Sequence, residues 1–324
     1  MNALAIRTKA EIVAALARVP ATATIAAMRR AFVAYSQGRC SVPPVGHLAF
    51  ANPPGDVHVK SGYIEGDPSF VVKIASGFYH NPARGLNASS GLLVVLNAQT
   101  GWPETILLDE AYLTDYRTAA AGAMVADLLA PKAIDAIGIV GTGVQAHLQL
   151  DLLRHVTPCR RAYVWGRDPA KARAFAVEGF AISPMDSVAE LAAGCSLIVT
   201  TTPATRALLM AADLRAGTHV TAIGADTPGK QELDPQIFAR AAICAVDSRA
   251  QCFDHGEASH ALAAGLVASN RFVELGKILV DPTRGRTAPD QITVADLTGV
   301  GVVDVAIARL VCEAFASTKT AAAD

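Results

Sequence analysis

The stretch at residues 134–146, IDAIGIVGTGVQA, constrains this chain more than any other. A run rich in Ile and Val leads into Gly141-Thr142-Gly143-Val144-Gln145-Ala146, and a helical pattern with Leu148, Leu150, Leu152 and Leu153 follows. The order is buried strand, tight glycine turn, helix, the context in which Gly-x-Gly-x-x-Ala binds a dinucleotide. Gly141 permits the sharp turn, Gly143 has no side chain to hold a pyrophosphate off, and Ala146 is small enough for the helix to pack closely on the strand. The N–H groups at the helix start, with the helix dipole behind them, then face the phosphates. In an alanine-rich chain the bare string also fits an ordinary strand-to-helix turn, so its placement between strand and helix is what favours the nucleotide site.

A length of 324 residues suggests two domains. The 52% of hydrophobic residues suffice for a sizeable core, and a formal net charge of −1 with 6% aromatics argues against a nucleic-acid partner. The mean hydropathy of +0.32 owes much to alanine, and no uninterrupted apolar run is long enough for a bilayer, so no membrane partner is expected. The start, MNALAIRTKAEIVAALARV, reads as a strand and helix, not a signal peptide. Six cysteines without a Cys-x-x-Cys pair read as reduced, mostly buried thiols of a cytoplasmic protein. The eight histidines show no metal spacing, and no metal site is expected.

Residues near 10–37 have helical spacing, with Gly38 as a stop. VHVKSGYI, SFVVKIASGFY, GLLVVLNAQTG and ETILLDEAYL read as antiparallel strands joined by turns, and Thr114 then introduces a helix up to Pro131. From there strands and helices alternate: strands at 133–140, 162–165, 196–200, 219–223 and 242–246, with a helix at 186–194 that Asp186 caps. The alternation predicts a parallel sheet with helices on both faces. TVADLTGVGVVDVAIARLVCEAF reads as a glycine turn and a helix that returns to the first domain, with a loose tail from about Ser317.

Ligands of such a sheet sit at the carboxyl ends of its strands. The end of the second strand contacts the adenosine ribose, where an arginine suits a 2′-phosphate. Arg167 stands there, followed by Asp168, which favours NADP(H), with NAD(H) as the alternative; the bland reading is a solvated Arg167 and a helix-capping Asp168. Thr201 and Thr202 either line the cofactor cleft or simply end a strand before Pro203. Asp226-Thr227-Pro228-Gly229-Lys230 is either an ordinary turn or a carboxylate placed near a nicotinamide to handle protons. Lys73 and Arg117 read either as a clamp on a substrate carboxylate or as a surface lysine and a core-bracing arginine.

The segments LTDYRTAAAGA, IGIVGTGVQA, AIGADTPGKQEL and LTGVGVVDVA together, in order along nearly the whole chain, resemble the ornithine cyclodeaminase/μ-crystallin family, and HVKSGYIEGDPSFVVKIASGFYHNP resembles its ketimine-reductase-like and ectoine-utilisation-like branches. The resemblance implies an α/β fold: a Rossmann-type parallel-sheet domain at 126–301 plus an α+β substrate-binding and dimerisation domain at 1–125 with about 302–324, assembled as a homodimer. It implies that Lys73 and Arg117 bind the substrate carboxylate, that Asp226 is the catalytic acidic residue with Lys73 beside it in the reaction, and that Val300 borders the substrate. Gly141, Thr142, Gly143, Val144, Gln145, Arg167, Thr201, Lys230 and Ser89 would touch the cofactor. The family's arginine shortly after the proline near residue 43 is missing here, and His47 is the expected substitute. Lys60 stands where cyclodeaminases have a glutamate, and the second strand's end lacks their leading aspartate.

The function these features imply is NAD(P)H-dependent reduction of a ketimine or imino acid, such as pyrroline-2-carboxylate or piperideine-2-carboxylate, to an L-amino acid. The alternatives are an ornithine-type cyclodeaminase that releases ammonia and recycles its NAD, and a non-catalytic protein binding NADPH and a small ligand.

Overall fold

The computed structural model describes residues 4–78 and 80–321. The chain forms two compact units, Met1–Arg117 with Gly301–Asp324, and Thr118–Val300. The division falls at 117/118, inside a helix, whereas the sequence reading put it at 125/126.

The first unit contains β1 (Ala5–Thr8), α1 (Lys9–Leu16), α2 (Ala21–Ser36), β2 (Cys40–Ser41), β3 (Gly46–Ala51), β4 (Pro54–Ile64), β5 (Ser69–Phe78), β6 (Ser89–Asn97) and β7 (Pro103–Leu108). It also takes the start of α3 (Tyr112–Leu129) and the C-terminal helix α11 (Val302–Ala321). Thr8 and Glu11 close a capping box at the start of α1. The helical stretch expected near 10–37 is two helices, because Pro20 lacks an N–H and stands at the N-cap of the second. The sheet runs β1-β7-β6-β5-β4-β2 with β3 also on β4, antiparallel except for β1 on β7. Helix α11 packs against α2 and the β4–β5 surface, and Met28, Phe32, Leu93 and Leu107 are buried in this unit. Two expectations need correction here. Helix α3 starts at Tyr112, not Thr114, because the Asp109 carboxylate accepts from the Leu113 N–H. Helix α11 also continues to Ala321, so the tail expected from about Ser317 is helical that far; residues 322–324 lie outside the described residues.

The second unit holds β8 (Ile137–Val140), α4 (Val144–Leu153), β9 (Arg161–Trp165), α5 (Pro169–Ala174), β10 (Ala181–Pro184), α6 (Val188–Gly194), β11 (Leu197–Thr200), β12 (Thr205–Leu209), β13 (His219–Ala222), β14 (Gln231–Leu233), α7 (Gln236–Arg240), β15 (Ile243–Val246), α8 (Arg249–His255), α9 (Glu257–Ala263), β16 (Phe272–Glu274), α10 (Leu275–Val280) and β17 (Thr293–Asp296). Its main sheet is parallel throughout, in the order β10-β9-β8-β11-β13-β17-β15-β16. Alternate residues of β8 enter opposite cores: Ile137 and Ile139 join Leu150, Leu153 and Val164, whereas Val140 joins Leu191, Ile198 and Phe238. A strand apolar on both faces requires cover on both, which is the α/β Rossmann-type sheet the sequence implied. Ser187, not Asp186, caps α6, accepting from the Glu190 N–H, and the helix begins at Val188.

Candidate active site

The strand order reverses between β8 and β11, so the loops after these two strands flank a topological switch point. The loop after β8 is the glycine turn. Gly141 has φ +128°, and a Cβ there would lie 2.4 Å from Thr201 Oγ1; its N–H donates to the Trp165 carbonyl at 2.8 Å. Gly143 differs. It is the N-cap of α4 with extended φ −87° and ψ −170°, no side chain caps the helix, and a Cβ there would meet nothing within 4 Å. Val144, the first residue of α4, is 61% exposed despite being apolar, and Ala146 is buried against the sheet. Thr142 lies over Gly166, where a Cβ would come 2.6 Å from its Cγ2. Gln145 accepts from Gln149 Nε2 at 3.4 Å. Open space over a side-chain-free N-cap, with uncommitted helix N–H groups behind it, fits a pyrophosphate.

At the end of β9, Arg167 is exposed, and Asp168 caps α5 by accepting from Ala170 N at 2.9 Å and Lys171 N at 3.5 Å. Asp168 is therefore committed to its helix, and Arg167 is the charged group left at the ribose end. Thr201 is tied back to the loop after β8, its Oγ1 donating to the Val140 carbonyl at 3.2 Å. Asp226 is exposed in the turn after β13, paired with Lys230 Nζ at 2.6 Å, and Gly229 takes φ +85° there. Both halves of the sequence reading of that segment hold geometrically: it is a turn, and it presents a carboxylate.

Four buried acids behind these loops escaped the sequence reading. Glu232 accepts from Thr200 Oγ1 at 2.7 Å, from the Thr202 N–H and hydroxyl, and from Gly224 N at 2.8 Å, which joins the ends of β11 and β13. Burial raises its carboxyl above the ordinary range against those donors. Glu257 accepts from the Glu232 and Leu233 N–H groups, and burial first, then the Asp296 charge, pushes it up to about 9. Asp296 accepts from Ala258 N at 2.9 Å. Asp247 accepts from Thr298 N at 2.9 Å, Gly299 N at 2.7 Å and Val300 N at 3.4 Å. Val300, expected beside the substrate, is fully buried. The only signal for Glu232 was a charge inside the quoted AIGADTPGKQEL.

In the first unit, the antiparallel register places His47 opposite His58, Lys60 opposite Lys73, and Ser89 opposite Gly77. With alternation along each strand, His47, His58, Lys60, Lys73 and Ser89 share one sheet face. His47 stacks on His58 at 4.8 Å between ring centroids, and His58 lies 3.5 Å from Asp56. Lys73 and Arg117 are 3% and 5% exposed, which rules out the surface-lysine reading. Between them stands a residue the sequence reading did not single out: Asp304 of α11, with Oδ2 2.8 Å from Lys73 Nζ and Oδ1 3.0 Å from Arg117 Nε. Burial, opposed by Asp304 and reinforced by Arg117 and Lys60, brings the Lys73 ammonium down to about 7. For Asp304, burial raises the carboxyl, but Arg117, Lys73 and Lys60 outweigh it and hold the group below its ordinary value. Lys73 Nζ also reaches Thr114 Oγ1 at 3.3 Å. The turn into α3 carries Glu110 at φ +51° and Ala111 at φ +69°, two non-glycine residues in the left-handed region, strain of a kind that clusters at functional sites.

Among the described residues no group of three or more His, Cys, Asp or Glu side chains is placed to hold a metal ion, and no single helix is long and apolar enough to cross a membrane. Cys195, Cys244 and Cys252 are buried, and Cys40, Cys159 and Cys312 half-buried.

The model of the ornithine cyclodeaminase/mu-crystallin family matches residues 5–319. The chain belongs to that family. The resemblance read in four segments therefore holds along almost the full sequence. An uncharacterized cyclodeaminase, y4tK, of Sinorhizobium fredii is 46% identical over 275 residues, 83% of each chain. A delta(1)-pyrroline-2-carboxylate reductase of Bacillus cereus is 30% identical over 290 residues, 86% of this chain and 87% of that one. Among solved structures, an archaeal alanine dehydrogenase dimer with bound NAD superposes with a TM-score of 0.89 at 30% identity, covering 98% and 97% of the two chains. The iminosuccinate reductase of Paracoccus denitrificans in complex with NAD+ gives 0.89 at 28%, covering 98% and 97%. The relatives thus include reductases named for imino-acid substrates and a protein named as a cyclodeaminase.

Proposed function

We propose that this protein is an NAD(P)H-dependent reductase that converts an imino acid, such as pyrroline-2-carboxylate or piperideine-2-carboxylate, to the L-amino acid. The observation that carries the reading is the buried pair of cations, Lys73 and Arg117, in one unit of a chain whose other unit presents an open dinucleotide turn. A buried guanidinium beside a buried amine suits a carboxylate, the group every such substrate shares. Bound nicotinamide supplies the hydride. The chain's own residues hold the substrate carboxylate at Lys73 and Arg117, and the Asp226 carboxylate stabilises the iminium charge or passes the proton to nitrogen. Arg167, free of the capping duty that Asp168 performs, favours NADP(H) over NAD(H). Opposite the Lys73 face, the same sheet exposes Leu48, Phe50, Val59 and Ile74, a surface suited to a second copy of this chain, so the reading includes a cytoplasmic homodimer.

A cyclodeaminase must hold a distal ammonium. Lys60, directly opposite Lys73 in the sheet register, places a further cation on that face and repels such a group. The name of the Sinorhizobium relative keeps cyclodeamination as the second reading. The test is a panel of imino acids crossed with NADH and NADPH, alongside ornithine with NAD+. Stoichiometric cofactor oxidation with an imino acid supports the reductase. Ammonia release from ornithine without net cofactor change supports the cyclodeaminase, and cofactor binding without turnover leaves only a binding protein.

A further inference from the structure

We propose that Asp304 is the positioning residue of the carboxylate site: by taking the Nε of Arg117 and contacting the Lys73 amine, it lets two like charges stand side by side and reserves the terminal nitrogens of the guanidinium for substrate. The inference rests on the reductase reading and adds a residue to it.

The geometry is specific. Asp304 Oδ1 meets Arg117 Nε at 3.0 Å and Oδ2 meets Lys73 Nζ at 2.8 Å, so one carboxylate separates the two cations. The Lys73 contact is an ion pair without hydrogen-bond angles, because Oδ2 is a buried oxygen with no hydrogen-bond partner. A guanidinium held by Nε keeps Nη1 and Nη2 as an end-on, two-point acceptor site for a carboxylate. All three residues are at most 5% exposed, so each charge is held by its neighbours more than by water. The groups acting on Lys73 come from every side: Asp304 on α11, Arg117 and Thr114 on α3, Lys60 on β4, and Asp109 in the turn before α3. Of the two acids, Asp304 is in direct contact, and without it the like charges of Arg117 and Lys60 would act on a buried amine with far less opposition.

The test uses the full chain with NADH present and reads binding of pyrrole-2-carboxylate by calorimetry from acid to alkaline pH; this probe keeps one charge over the range. In the wild type, affinity falls as pH rises through about 7, where Lys73 loses its proton. In Asp304→Asn that fall moves to lower pH by a unit or more, so affinity at neutral pH drops at least about tenfold and the deficit shrinks on acidification. Asp304→Glu restores the wild-type pH profile in part. Thermal melting and NADH binding of each variant separate misfolding from a local effect. If Lys73→Gln and Arg117→Gln lose the probe while folded Asp304→Asn binds it with the wild-type pH profile, Asp304 is only structural and the proposal is overturned. If Lys73→Gln and Arg117→Gln also bind as the wild type does, it is the carboxylate site of the proposed function that fails.

Discussion

Replacing Gly143 by alanine separates cofactor binding from folding. The backbone there is extended, φ −87° and ψ −170°, which any residue adopts, and the new methyl would meet nothing within 4 Å. Alanine lowers the entropy of the unfolded chain, a gain of about 0.4–1 kcal/mol, and is the poorer N-cap by a similar amount. The two effects oppose each other, and stability stays within about 0.5 kcal/mol of the wild type. The methyl occupies the space through which a pyrophosphate reaches the start of α4. Losing one charge-assisted hydrogen bond of about 1.5–3 kcal/mol weakens the dinucleotide roughly 10- to 100-fold. Gly141→Ala is the contrast: at φ +128° and 2.4 Å from Thr201 Oγ1 it is strained in the folded chain, and it loses about 1–3 kcal/mol of stability as well as cofactor. Urea unfolding gives the first quantity and NADH or NADPH fluorescence titration the second. Unchanged affinity in Gly143→Ala, or a stability loss equal to that of Gly141→Ala, refutes the assignment of this turn to the phosphates.

Arg167→Ala should weaken NADPH about tenfold more than NADH, whereas Asp168→Ala should lose about 1 kcal/mol of stability through the α5 cap and leave the ratio of the two affinities alone; parallel titrations with both cofactors check this pair. Glu232→Gln puts an amide NH₂ against either the Thr202 or the Gly224 N–H, and unfolding should show a loss of about 1–3 kcal/mol. Two pH slopes of opposite sign should appear in thermal melts. His219, which burial lowers from 6.5 to about 3, binds fewer protons folded than unfolded between those values, so stability falls as pH drops through that window. Glu257, raised from 4.5 to about 9, binds more protons folded than unfolded, so its contribution is complete below 4.5 and is lost as pH rises towards 9. His219→Gln should flatten the acid limb and Glu257→Gln the limb above pH 6.5.

The nucleotide unit was legible where the signal is local. The Ile-Val run, the glycines at 141 and 143 and the leucines of α4 lie within one stretch of chain, and strand, turn and helix each follow from neighbouring residues. What escaped depends on residues far apart. β17 is contributed late in the chain yet pairs between β13 and β15, and the β12–β14 pair is parallel and outside the main sheet. Neither follows from alternation, which gives the type of each element but not its place in the sheet. Helix starts erred by small steps for one reason: Asp109 and Ser187 supply the cap oxygens, and which of several nearby Asp, Ser or Thr side chains accepts from the first turn depends on its backbone angles.

The carboxylate site shows the same boundary more sharply. Lys73 and Arg117 were visible as cations in apolar or small-residue surroundings, but a charge pattern alone leaves a clamp and a brace equally open. The fold joins the two readings: Asp304, 187 residues from Arg117 along the chain, braces the guanidinium at Nε and so leaves its terminal nitrogens for a ligand. A buried arginine that only braced would be expected to spend all its donors on protein, and one that only clamped would have no reason to be paired inside the chain. The division of one guanidinium between an internal carboxylate and an external one makes Lys73, Arg117 and Asp304 a single electrostatic unit. Substitutions within it should therefore be non-additive: Asp304→Asn combined with Lys73→Gln should bind pyrrole-2-carboxylate no worse than Lys73→Gln alone, because the charge that Asp304 offsets is already gone.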